Sequence, residues 1–322
     1  MVKQAARFAL HNLGGLALLR GHNRNRFAVP MFHSFYEQDR ANIEALCAHM
    51  TRYFEPVSLS AIVDDIQGGL TLPHNALTVT VDDGYKNFLL HGHAIFRRHG
   101  IPVTIYAVSG FADRRLWLWP DQIAFALQHT GHRSLEARVD DGPPLQLELT
   151  TMAERSASAV LVMEALKKIP DAQRLSFLPA FAKLCHVEFP SEPPAARSAL
   201  NWDELRALAA EGVEIGCHTE THPILSKLSN VADLQREIRG AKENMEQKLR
   251  FAVRHFCYPN GLPEDIGKEA IRTVREAGYA SAVTCTWGLN TVRGSPFEIR
   301  RVPLDSKIDF NYGKELLAGL HM

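Results

Sequence analysis

Several short stretches of the chain alternate apolar and polar residues with a period of two. Longer segments between them repeat apolar residues at helical spacing. Leu77-Thr78-Val79-Thr80-Val81 shows the first pattern and reads as a half-buried strand. It runs into Asp82-Asp83-Gly84-Tyr85. Phe27 to His33 reads as an earlier strand, and Val103 to Val108 as an apolar run of the kind buried in a parallel sheet. Val213–Cys217, Phe251–Tyr258, Tyr279–Thr284 and Glu298–Pro303 bring the set to about seven strands. The helical stretches between them include Arg40–Phe54, with Ile43, Leu46 and Met50 in one stripe, and Ser58–Ile66, which Ser58 is placed to cap. Phe88–His99 follows, and then a helix whose cap is Asn201 with Glu204 three positions on. Val231–Leu249 carries Leu234, Ile238, Ala241, Met245 and Leu249 on one face, and Pro263–Gly278 ends in glycine.

Strands alternating with helices through short links imply a parallel α/β fold. With this strand count the expected architecture is a distorted or incomplete (β/α)7-type barrel. The middle of the chain breaks the rhythm. A helix is expected from Trp117-Leu-Trp119-Pro120 to about Gln128, then a hairpin over Arg138–Leu149 around Asp141-Gly142-Pro143-Pro144. Two helices over Met152–Ile169 and Ala172–His186 complete it. The expectation is one domain over 1–322 with a mainly helical insertion at about 112–199.

Composition narrows the function classes. An apolar fraction of 46% supports a sizeable core, and Lys+Arg and Asp+Glu total 36 each, so no global charge draws nucleic acid. The five cysteines include no Cys-x-x-Cys pair, which excludes a zinc ribbon and points to a reducing, cytoplasmic compartment. No apolar run is long enough to span a membrane. The apolar N-terminal pieces Phe8-Ala9-Leu10 and Leu16–Leu19 are interrupted by His11, Asn12, Gly14 and Gly15 and read as a mature N-terminus rather than a signal peptide. The first 36 residues carry Lys3, Arg7, Arg20, Arg24 and Arg26 and no acidic residue. Two readings stand for this stretch: a weak membrane-surface contact, or a solvated helix and loop.

In a parallel barrel, functional groups sit at the C-terminal strand ends. Here those ends carry His33, Asp82-Asp83, His218 and Tyr258-Pro259. Two adjacent carboxylates repel unless a cation or proton intervenes. His218 and His222 follow a strand and precede Pro223, so they are not a helix face. One carboxylate and two imidazoles form a ligand set for a zinc-like ion, with the other carboxylate left to deprotonate water. Asp-Asp-Gly after a strand is commonly just a turn, and Trp117 and Trp119 suit sugar stacking or core packing alike.

Together these segments resemble the polysaccharide deacetylase family (NodB homology, carbohydrate esterase family 4), in its exopolysaccharide-cluster branch. Thr80-Val-Asp-Asp-Gly-Tyr is similar to the family's first motif and His218-Thr-Glu-Thr-His222 to its second. Phe256-Cys-Tyr-Pro-Asn-Gly261 is similar to the third, and Pro30-Met-Phe-His33 to the element that opens many members of that branch. The resemblance implies Asp82 as general base and Asp83, His218 and His222 as ligands of a divalent metal, most often Zn2+. It implies the backbone N–H of Tyr258 as an oxyanion donor. The implied reaction removes an N-acetyl group from an amino sugar of a surface polysaccharide or its precursor. Two departures stand out. Cys257 occupies the place of a motif arginine, for which Arg300 or Arg301 is the candidate substitute. The family's closing Leu-x-x-His acid has no clear counterpart, since His321 lacks the spacing, which leaves His33 or water to protonate the leaving amine. The alternatives are a hydrolase of another non-peptide C–N bond, such as a cyclic amide, and a carbohydrate-binding protein without turnover.

Overall fold

Seven parallel strands close on themselves to form the centre of the molecule. The computed structural model describes residues 10–68 and 71–320. The readings placed on Lys3, Arg7, Phe8, Ala9 and His321 lie outside the described residues. In chain order the barrel strands are β1 (Pro30–Phe32), β2 (Val79–Val81), β3 (Val103–Ala107), β4 (Glu214–Cys217), β5 (His255–Cys257), β6 (Ser281–Trp287) and β7 (Ile299–Pro303). Sequential strands are neighbours throughout, and β1 closes the ring between β7 and β2, with Pro30 opposite Val302 and Met31 opposite Thr80. β1, β2 and β3 are buried on both faces, as parallel strands flanked by helices must be.

The expected seven-strand α/β barrel is therefore what forms. The helices follow their sequence signals closely. Ser58 accepts a hydrogen bond from the Ala61 N–H, and Asn201 and Glu204 make a reciprocal capping box. Ile43, Leu46 and Met50 are fully buried, as are Ile238 and Met245 on the helical run over 231–249. Two local differences matter. Pro263–Gly278 is two helices, Pro263–Ile266 and Lys268–Glu276, because Gly267 between them adopts φ 76°. Wide π-helical turns interrupt Phe88–Gly92 and Arg236–Gly240, each just behind a loop that carries site residues.

Between β3 and β4 the chain leaves the barrel. A helix over Trp119–His129, an antiparallel hairpin pairing Ser134–Ala137 with Leu145–Glu148, and helices over Met152–Leu166 and Asp171–Leu184 pack around their own apolar centre. The hairpin's first strand lies before Arg138, earlier than its turn residues suggest. Trp119, Leu147, Val162 and Phe181 are buried in this cluster, together with Ile224 from the loop that follows His222. This segment is thereby fastened to the loop that holds the paired histidines. Among the described residues, no helix is long and apolar enough to cross a membrane.

Candidate active site

The two carboxylates separate because the strand ends between them. The Asp82 N–H still donates to the Phe32 carbonyl at 2.9 Å, which keeps Asp82 in the barrel ladder. Asp83 and Gly84 then turn in the left-handed region, at φ 71° and 75°. A side chain at position 84 would place its Cβ 3.2 Å from the backbone of Ala107, so the turn needs glycine both for its dihedral and for its approach to β3. The result is two buried carboxylates lining one cavity.

The histidines enter from the loop after β4. The His218 N–H donates to the Ala107 carbonyl at 2.9 Å. Its ring Nδ1 lies 2.8 Å from the Cys257 carbonyl, which only accepts; the proton is thus on Nδ1 and the Nε2 lone pair is free. Thr219 and His222 both have positive φ, at 70° and 59°, a costly conformation for these residues. The buried Glu237 carboxylate stabilises this loop by accepting from the N–H groups of Glu220 and Thr221 and from the Thr221 hydroxyl. Nε2 of His218 and of His222 then lie 3.5 and 3.4 Å from Asp83 Oδ1. That oxygen is buried and makes no hydrogen bond. Burial opposes its ionisation, but the two imidazoles outweigh burial and hold the Asp83 carboxyl well below its usual range. One carboxylate oxygen and two imidazole nitrogens, all within 4.8 Å of one another, suit a divalent ion such as zinc.

Asp82 faces a different partner. Arg301, fully buried on β7, donates from Nη1 to Oδ1 at 2.6 Å and from Nη2 to Oδ2 at 2.7 Å. Burial alone would raise the Asp82 carboxyl, but the guanidinium overrides it and keeps the group below its ordinary value, hence ionised. Of Arg300 and Arg301, which alternate across the strand, it is Arg301 that points into the barrel, while exposed Arg300 bonds Asn290 through its backbone. Cys257 and Cys285 sit 3.3 and 3.5 Å from the same guanidinium nitrogen. Asp82, His218 and Cys257 also lie close together, but both Asp82 oxygens are already taken up by Arg301, and burial pushes the Cys257 thiol far up. His33 stands at the cavity mouth, its side chain 46% exposed and its Nε2 3.8 Å from Asp82 Oδ2.

Tyr258 departs from expectation. Its N–H donates to the Val283 carbonyl at 3.2 Å within the barrel, and its hydroxyl to the Phe297 carbonyl. The backbone donor is therefore engaged in the sheet rather than offered to the cavity. Two other donors lie close by: Asn260 Nδ2 and Trp119 Nε1 are buried without a hydrogen-bond partner, and both residues line the cavity. The cavity measures about 340 Å³, and the segment between β3 and β4 supplies one wall through Trp119, Pro120, Val160, Met163, Glu164 and Lys167. Tyr85, from the carboxylate turn, anchors that wall by donating its hydroxyl to Asp121 at 2.8 Å.

Comparison with known proteins agrees with this geometry. The family model described as polysaccharide deacetylase matches residues 180–282, which contain both histidines and Tyr258 but not the carboxylate turn. No curated protein matches the sequence. Among solved structures, the Streptococcus pyogenes deacetylase PplD in complex with acetate is similar at 11% identity and a TM-score of 0.58, covering 93% of this chain and all of that one. The BpsB deacetylase domain from Bordetella bronchiseptica is similar at 15% identity and a TM-score of 0.55, over 87% of this chain and 96% of its own. IcaB from Ammonifex degensii is similar at 14% identity and 0.55, over 91% and 96%. At such identities the structures speak for the barrel fold alone, and the polysaccharide deacetylase model is matched over residues 180–282, less than half of the chain.

Proposed function

We propose that this chain is a divalent-metal-dependent hydrolase that removes N-acetyl groups from amino sugars of a surface polysaccharide or its precursor. The observation that carries this reading is Asp83 Oδ1, buried and without a hydrogen bond between the two imidazole Nε2 atoms, beside an Asp82 kept ionised by Arg301. A divalent cation held by Asp83, His218 and His222, most often zinc for such donors, supplies Lewis-acid charge at the amide carbonyl.

The protein's own groups do the rest. Asp82 accepts a proton from the attacking water as the water oxygen bonds to the acetyl carbon. Arg301 fixes the direction of that carboxylate and keeps it charged. His33 delivers a proton to the leaving nitrogen as the C–N bond breaks, giving acetate and a free amine. Asn260 and Trp119 offer N–H groups to substrate oxygens, which is a use for donors that are costly to bury unpaired. In this reading the 112–199 segment is an insertion within one catalytic domain, present to wall the cavity. All five cysteines are free, which supports a reducing cytoplasm and a precursor substrate met there.

The test combines metal content of the purified protein with acetate release from N-acetylglucosamine oligosaccharides and from carrier-linked N-acetyl sugars, with zinc supplied. Stoichiometric metal and acetate release are expected. Retained sugar binding with neither metal nor acetate release would replace this reading with a binding protein on the same fold.

A further inference from the structure

On the outside of the barrel, away from the catalytic cavity, the helices Gly15–His22, Arg40–Tyr53 and Phe310–Leu317 line a second, open cavity of about 650 Å³. It shares no lining residue with the catalytic one. Arg20, Arg52 and Lys314 converge on it, one from each helix. Arg20 and Arg52 stack on the Tyr53 ring at 4.2 and 5.3 Å, and Lys314 lies over Phe310 at 4.7 Å. None of the three pairs with a carboxylate among the described residues, and the neighbouring Glu315 is buried and bonded to His11 at 2.7 Å.

His49 lies in the same wall. Its side chain is 7% exposed, and its Nε2 is buried with no hydrogen-bond partner. Burial, then the charges of Arg20, Lys314 and Arg52, push its imidazole down to about 4, so it enters as a neutral ring. Three converging cations without a counter-ion among the described residues, beside an unsatisfied polar nitrogen, repel one another; an arriving oxyanion removes that cost. The remaining lining is His11, whose ring Nε2 is taken up by Glu315, and apolar residues that include Leu16, Ala17, Ala45 and Ala48. Beside it Leu13 and Leu18 project 72% and 76% exposed from the N-terminal side. Cations together with exposed leucines on one N-terminal segment are features by which a protein rests on an anionic bilayer.

We propose that this cavity binds the phosphate group of an anionic lipid, with Leu13 and Leu18 entering the bilayer surface. Arg20, Arg52 and Lys314 would hold the phosphate oxygens, and His49 would donate or accept one further hydrogen bond.

The experiment is co-sedimentation of the full chain with phosphatidylcholine vesicles with and without phosphatidylglycerol, alongside calorimetric titration with inorganic phosphate. The wild type is expected to bind only the anionic vesicles, and R52E/K314E to lose about tenfold or more in affinity. R52Q/K314Q, a milder change, loses less, and L18S loses vesicle binding while leaving any response to phosphate intact. R206E/R272E, a charge-matched control outside the cavity, retains vesicle binding. Acetate release from a soluble substrate is expected to be the same in R52E/K314E as in the wild type, so this test stands apart from the catalytic one. The proposal is overturned by equal binding to both vesicle types, by inorganic phosphate binding without vesicle binding, or by equal losses in R52E/K314E and the control.

Discussion

Arg301 reaches past a whole strand to grip Asp82: β1 lies between β7 and β2, yet both guanidinium nitrogens meet both carboxylate oxygens at 2.6 and 2.7 Å. Arg301 also donates to the Thr284 carbonyl at 2.7 Å. Removing one member of a fully buried pair leaves an uncompensated charge, so Arg301→Ala is expected to cost about 3–5 kcal/mol of stability. Arg301→Lys keeps the charge but loses the planar fork, and is expected to cost less stability while still misdirecting Asp82. Urea unfolding and acetate release on both variants check this. If the lysine variant matched the wild type in both, the bidentate geometry would have no role.

That contact also marks where sequence reasoning stops. The strands were legible because each is short, apolar and bounded by a turn, and the ligand set because Asp83, His218 and His222 each follow a strand. Two-residue periodicity places Arg300 and Arg301 on opposite faces but does not say which faces inward. The free Asn260 amide and Trp119 indole were not identifiable either. Their significance lies in having no partner, which is a property of packing. Tyr258 shows the converse: its motif position suggested a free backbone donor, and the register of β5 against β6 engages that N–H with Val283.

The two carboxylates are expected to fail differently. Asp82→Asn is expected to lower acetate release by about 10²–10⁴-fold while metal binding persists. Asp83→Asn and His222→Ala are expected to lose metal. A ligand held at a hundred times its Kd stabilises the folded state by about 2.7 kcal/mol, so zinc should raise the melting temperature of the wild type and of Asp82→Asn but not of the ligand variants. Equal zinc responses in all four proteins would refute the division of roles between Asp82 and Asp83.

Trp119→Phe separates stability from function. The indole N–H is buried without a partner, and leaving such a donor unsatisfied costs about 1–3 kcal/mol. Removing it while keeping an aromatic body is expected to offset much of the lost packing, leaving stability near the wild-type value. If the N–H grips a substrate oxygen, KM rises or kcat/KM falls by about tenfold in the same variant. Loss of stability with unchanged kinetics would make Trp119 a packing residue only.

His49 predicts an acid-side weakness. Its imidazole is pushed down to about 4 in the folded protein, against about 6.5 unfolded. Between those values the unfolded chain binds one proton that the folded chain refuses. Stability therefore rises with pH across that window, is complete above about 6.5, and is lost as pH falls toward 4. With allowance for partial solvent access, the loss is on the order of 1–2 kcal/mol. His255, also pushed down to about 4, weakens the protein in the same range, so the wild-type curve alone does not isolate His49. The difference between wild type and His49→Gln does: unfolding free energies measured from pH 4 to 7 should converge at the acid end. A constant difference across that range would show that His49 is not the group refusing the proton. The cause can be tested in the same way, because removing the neighbouring cations in R52Q/K314Q should move the His49 titration, followed by NMR, toward higher pH.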